Sequence, residues 1–262
     1  MLHPAITKEA LYFLGKLKKN NDREWFNDHK TEFTEHQNEV KDFYALAMDN
    51  LKVHDQIEKM KMFRIYRDVR FSKDKTPYKA HFAVSYHRLG AEKRGGYYIR
   101  IKPGETFIAT GFWGPEKEDL YRIRKEFELD ASEFRDIINE KFFKKIWGEL
   151  QGDAVKTAPK GFDKMHENID LIRHKQFTFS RSFTDEEVVS PLFIDEIHKS
   201  AEAVRALRYL YEDVKELSVI AAGSLLEVFS KREGFSFPVG RVKNLFLYPV
   251  NFLEYIEAKN PP

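Results

Sequence analysis

The chain has 262 residues, of which 42% are hydrophobic and 15% aromatic, with 23 Phe, enough apolar material for one large domain or one domain and part of a second. It has no cysteine, which excludes disulfides, thiolate nucleophiles, Cys-type zinc sites and iron–sulfur clusters together. The formal net charge of +2 argues against a protein that coats duplex nucleic acid, though not against a local basic site.

The opening residues lack a basic segment followed by a continuous apolar one, so a secretory signal is not expected. The longest apolar run, near Val219 to Leu226, is too short to span a bilayer. The expectation is a soluble, cytoplasmic protein. Thr7 suits a helix N-cap, followed by Leu11, Phe13, Leu14 and Leu17 at helical spacing. Asn20-Asn21-Asp22 ends that helix, and Asp22 can cap the next. From Glu24 to Leu51 the positions Phe33, Val40, Phe43, Ala47 and Leu51 form one face of a long amphipathic helix. His29 and His36 lie near Glu32 and Glu39 on it. They read either as a metal site or as packed histidines beside the core stripe, the commoner case, and no metal is expected.

Period two follows. Phe63, Ile65 and Arg67 alternate with Met62, Arg64 and Tyr66, predicting a strand, and Lys73 to Pro77 a polar loop. Phe82, Val84 and Tyr86 predict a second strand, Tyr97, Ile99 and Ile101 a third, and Phe107 to Phe112 a fourth, with turns at Gly90–Gly96 and Pro103-Gly104. The fold class expected is α+β, an antiparallel sheet with helices packed on one face. Beyond Gly114-Pro115, Leu120, Ile123 and Phe127 form one helical stripe, and Phe134, Ile137, Ile138 and Phe142 another. Ile169 to Ile172 make a short element, Phe177 to Arg181 a further strand, and Thr184 to Glu187 an acidic helix start.

Charge is concentrated between Lys61 and Lys79. Lys61, Arg64, Arg67, Arg70, Lys73, Lys75 and Lys79 face only Asp68 and Asp74, a local +5 in a chain of +2. Such a field suits an anion, and arginine forks hold phosphate or carboxylate at two points. The bland alternative is a solvated, ion-paired face. If the stretch is a site, at least two of Arg64, Arg67 and Arg70 should line a common pocket with Lys75 or Lys79. Arg173, His174, Lys175 and Arg181 form a second basic group. The expected ligand contacts are Arg64, Arg67, Arg70, Lys73, Lys75, Tyr78 and Lys79, with Lys175 and Arg181.

Several strings in residues 1–190 resemble the bacterial and fungal family called domain of unknown function 2461. They are Asn20-Asn21-Asp22-Arg23 with Trp25-Phe26, RIYRDVRFSKDKTPYK from Arg64, GGYYIRIKPG from Gly95, Gly111-Phe112-Trp113, and KGFDKMHENIDLIRHKQFTFSR from Lys160. The resemblance implies no known activity, catalytic residue or cofactor. Residues 191–262 resemble part of an ATPase of the AAA superfamily that carries domain of unknown function 4143. That resemblance implies a Walker B strand at Leu192 to Ile194, Mg²⁺ held by Asp195, water polarised by Glu196, a sensor at Ser224 and a γ-phosphate arginine at Arg241. No GxxxxGK[ST] occurs in the chain, so the phosphate cradle is missing. The expectation is an incomplete P-loop-type ATPase fragment, joined by gene fusion or rearrangement and unable to hydrolyse ATP. The same residues also read as one helix from 191 to 212, with Ser190 as cap, Pro191 first, and Phe193, Ile197 and Val204 packed on the preceding domain.

Three functions follow. The first is a binding module for a phosphate-bearing or other anionic small molecule. The second is an enzyme acting on such a substrate, with Asp68, His81 or His166 moving protons. The third is a nucleic-acid-associated protein in which Tyr66, Tyr78, Phe82 and Tyr86 stack bases, though aromatics at period two are more often core.

Overall fold

A computed structural model describes residues 5–90, 94–194 and 196. Helix α1 (Lys8–Lys19) starts where the Thr7 hydroxyl accepts from the Ala10 amide at 3.2 Å, and it buries Leu11, Phe13, Leu14 and Leu17. The single helix expected from Glu24 is two: α2 (Arg23–Asp28) and α3 (Lys30–Lys52). They part at His29, whose ring stacks on Trp25 with centroids 4.0 Å apart and whose Nδ1 lies 2.8 Å from the Trp25 carbonyl. This local side-chain bond offers the backbone an alternative to a continuous ladder. The stripe of α3 is buried as its spacing requires, and His36 bonds Glu39 at 3.2 Å beside it.

The sheet has five antiparallel strands in the order β1-β2-β3-β4-β5. They are β1 (Ile57–Met62), β2 (Phe82–Arg88), β3 (Gly96–Ile101), β4 (Thr106–Phe112) and β5 (Phe177–Phe183). The first strand expected, Met62 to Arg67, is corrected: pairing ends at Met62 and the chain leaves the sheet beyond Phe63. The true strand, IEKMKM, is an edge that buries only Ile57, so its alternation is faint. Residues 63–81 form instead a lobe closed by an antiparallel bridge between Tyr66 and Tyr78.

Phe82, Val84, Tyr86, Tyr97, Ile99, Ile101, Ile108, Phe177 and Phe179 make one buried face of the sheet. Phe33 of α3 stacks on Phe82 at 5.9 Å, and the Tyr86 hydroxyl donates to the Tyr44 carbonyl at 3.0 Å. Between β4 and β5 come α4 (Lys117–Leu129), α5 (Ser132–Asn139), α6 (Lys141–Trp147) and α7 (Ile169–Ile172). They cover the same face: Phe127 meets Phe177 at 5.7 Å and Phe143 meets Phe179 edge-on at 4.9 Å. The expected α+β architecture with helices on one face is therefore what the chain adopts.

After β5, Thr184 and Glu187 form a reciprocal capping box on α8 (Asp185–Val188). Phe193 and Ile194 are helical and buried, with the Phe193 amide donating to the Ser190 carbonyl at 3.0 Å. Phe193 stacks on Phe43 at 5.6 Å and meets Phe183 edge-on at 5.1 Å. The Walker B strand at Leu192 to Ile194 is thus corrected: a strand there would lack a parallel neighbour, whereas a helical turn satisfies its own backbone. Asp195, Ser224, Arg241 and the rest of the 191–212 helix lie outside the described residues. Among the described residues no helix is long and apolar enough to cross a membrane.

Candidate functional site

The face of the sheet that carries no helix among the described residues holds a groove. Strand pairing aligns three outward rows across it: Lys59, His87, Gly96, Gly111 and Thr178; Lys61, Ser85, Tyr98, Ala109 and Ser180; and Ala83, Arg100, Phe107 and Ser182. Small residues in the first two rows leave a hollow of about 610 Å³. Phe63, Tyr98, Phe107 and Trp113 wall it, and its polar lining includes His87 and Ser85, Ser85 Oγ lying 3.1 Å from His87 Nε2. That volume is in the range of small-molecule sites. Gly111 is obligatory: its φ is +140°, and a Cβ there would fall 2.2 Å from the Phe177 carbonyl oxygen. At Gly96 a Cβ would fall 2.4 Å from the Tyr86 carbonyl oxygen.

The aromatic walls touch one another, Phe63 with Tyr98 at 6.0 Å and Tyr98 with Phe107 at 5.6 Å. Cations gather on them. The Nζ atoms of Lys61 and Lys79 each lie 5.7 Å from the Phe63 ring centroid, and the Arg100 guanidinium lies 4.4 Å over Phe107. Arg100 also pairs with Glu105 at 3.5 Å. Burial lowers the pKa of Lys79, and nearby Arg64 lowers it further. Burial, followed by Arg100, Lys79 and Lys102, lowers His81 to about 4, so it is neutral at physiological pH. Burial raises Tyr98, which keeps its proton.

The lobe distributes the basic stretch differently from a common pocket. Arg67 is bound to Asp74 and the Thr76 hydroxyl, and Arg70 makes a two-point contact with Asp68 at 2.9 and 2.6 Å. Arg70 thus takes the acid two residues before it, while Arg67 passes over the adjacent Asp68 for Asp74, seven residues on. Asp74 is pulled down to about 2, first by the Thr76 amide and then by Arg67. Lys75 Nζ donates to the Val69 carbonyl at 2.9 Å. Tyr78 is buried, stacked on Phe26 at 4.0 Å, so its ring belongs to the core. Of the other rings considered for base stacking, Phe82 and Tyr86 are buried and Tyr66 is half-exposed. Arg64 and Lys73 are exposed, and among the described residues neither they nor Lys61 and Lys79 form an ion pair, although Arg64 is near enough to help lower Asp68.

The second basic group lies elsewhere. Arg181 projects from the helix-covered face, where it binds Glu196 and lies 4.7 Å over the Phe183 ring. Glu196, expected to polarise water, is an ion-pair partner here. Lys175 faces Asp153 at 3.9 Å. Of the proton-transfer candidates, Asp68 is engaged by Arg70, and His166 Nδ1 accepts from the Asn168 amide at 3.1 Å.

The groove itself is absent from the sequence reading, although its signal is present. GGYYIRIKPG and Gly111-Phe112-Trp113 hold Gly96, Tyr98, Gly111 and Trp113 on the strand positions that alternate away from the core. The family described as "Conserved hypothetical protein (DUF2461)" matches residues 9–209. The chain belongs to this family. The DUF2461 match includes the positions of Asp195 and Glu196, and contains both the lobe and the groove strands. No curated protein and no solved structure matches the chain.

Proposed function

We propose that this DUF2461 member is a binding module for a phosphate-bearing ligand whose apolar, ring-containing body sits in the sheet-face groove. The observation that carries this reading is the open aromatic hollow with Lys61 and Lys79 over its Phe63 wall. Lys79, partly buried beside Arg64 and with no ion-pair partner among the described residues, is in a repulsive arrangement that an anion relieves. Of the sequence-level candidates, Arg64 and Lys79 support this site directly. Arg67, Arg70 and Lys75 shape the lobe behind it.

Trp113 is 69% exposed at the groove wall, so its emission reports occupancy. Titration with a nucleoside monophosphate is expected to quench it saturably. Lys79→Glu should weaken binding about ten-fold or more, the equivalent of roughly 1.5 kcal/mol for one charged contact. Trp113→Ala should abolish the quenching. Absence of saturable binding to any ring-bearing phosphate overturns the proposal. The Ser85–His87 hydrogen bond supports a second reading, an enzyme acting on the same bound phosphoester. Phosphate release during the titration, lost in Ser85→Ala, would favour that reading.

A further inference from the structure

Phe71 is 97% exposed, the most exposed of the large hydrophobic side chains described. It stands at the end of a lobe held together by polar bonds. Ser72 N donates to the Val69 carbonyl at 3.4 Å, Lys75 Nζ ties back to Val69, and Arg70 grips Asp68. Arg67 joins Asp74 and Thr76 beneath them. Further down, Arg67 N donates to the Pro77 carbonyl at 2.8 Å and Lys79 N to the Ile65 carbonyl at 2.7 Å. The phenyl ring therefore points outward from a stapled turn. Arg70, Lys73 and Lys75 surround it in sequence, and Arg64 and Lys79 follow toward the lobe's base.

That base is the groove. Phe63 begins the lobe and walls the hollow, and Lys79, at the lobe's other end, lies over its ring, so the segment that carries Phe71 springs from the rim of the groove. We infer that the partner is a single-stranded nucleic acid, one base stacking on Phe71 and another entering the groove, with phosphates between them on Arg64, Lys73 and Lys79. This rests on the groove reading and extends its ligand from a mononucleotide to a polymer. Single strands offer what this surface lacks partners for: flat faces for isolated aromatic rings and a repeating anion for spaced lysines. A duplex keeps its bases stacked and cannot give one to a groove on a sheet.

The test is fluorescence anisotropy of the full chain with a labelled oligothymidine, in parallel with the mononucleotide titration. Phe71 touches almost nothing, so Phe71→Ala should keep the wild-type circular dichroism and melting curve. It should weaken oligonucleotide binding about ten-fold and leave mononucleotide affinity unchanged. Lys73→Glu should lower the slope of log affinity against log salt by about 0.7 or more. Three outcomes overturn the inference while leaving the groove reading standing: mononucleotide binding without oligonucleotide binding, oligonucleotide binding indifferent to Phe71→Ala, or equal affinity for a duplex. Binding to anionic vesicles that depends on Phe71, with none to the oligonucleotide, overturns it in favour of a membrane surface. Failure of both titrations removes the groove reading and this inference together.

Discussion

His81 is half-buried at the cationic end of the groove, and its pKa is lowered to about 4 from an ordinary 6.5. Desolvation is the larger cause, with Arg100, Lys79 and Lys102 adding to it. The unfolded chain binds the proton more readily, so folding stability is unaffected above pH 6.5 and falls as the pH drops from 6.5 towards 4. Because the ring is partly solvated, the loss is on the order of 1 kcal/mol. Chemical denaturation of His81→Gln across that interval should show a correspondingly shallower acid limb. An identical limb in variant and wild type would mean that the imidazole is better solvated than its surroundings indicate. The loss tied to Asp74 belongs to more acidic solutions, between its ordinary 3.8 and about 2, so the two can be separated. A bound phosphate near Lys79 and Arg100 would offset the cations and raise His81 towards its ordinary value, shrinking the His81 limb.

The lobe shows how an element can rest on one distant side chain. Asn21 presents its amide to Tyr78 as a strand would, Nδ2 donating to the Tyr78 carbonyl and Oδ1 accepting from the Tyr78 amide, each at 3.0 Å. Phe26 then stacks on the Tyr78 ring. Asn21→Ala strands both backbone groups and should cost about 1–3 kcal/mol. Faster amide hydrogen exchange at Arg67 and Lys79 would localise the damage to the lobe, whereas uniform acceleration would point to global unfolding. The Asn20-Asn21-Asp22 and RIYRDVRFSKDKTPYK strings were legible as belonging to one family, but not as touching each other, because neither periodicity nor charge records a side chain imitating a strand. Strands β2 to β5 were legible from alternation, since one face of each is buried. Edge strand β1 was not, because its lysines hide the pattern. The second helical stripe slipped by a residue: α5 ends at Asn139, so Phe143 is buried in α6 and Phe142 is exposed. The groove escaped because it is made of absent side chains, and a glycine in a strand reads as a weakness rather than as space. The basic stretch was legible as charge, but which arginines find an acid is decided by the turn that carries them.

At the scale of the molecule, one face of the sheet carries the core and the other the groove to which the proposed function assigns recognition. Phe193 belongs to the first. It lies beyond the boundary expected at 190, yet it is 2% exposed between Phe43 and Phe183. Phe193→Ala should cost about 3–5 kcal/mol, as for other aromatic truncations in packed cores. Thermal melting would check this, and a loss below about 1 kcal/mol would show that the residues after α8 are dispensable to the core.

The strand order has a consequence for how the chain comes to be folded. Strands β1 to β4 pair in succession, across the 63–81 lobe and two shorter turns, but β4 ends at Phe112 and its other partner is complete only at Phe183, with four helices between. During synthesis at about 5–20 residues per second, the free edge of β4 waits roughly 4 to 14 s for that partner. In that interval it exposes unpaired amides and carbonyls beside Ile108 and Phe112, the kind of edge that recruits other chains. Gly111 on that edge has a φ of +140° and no side chain, which makes it a poor template position for another chain's strand.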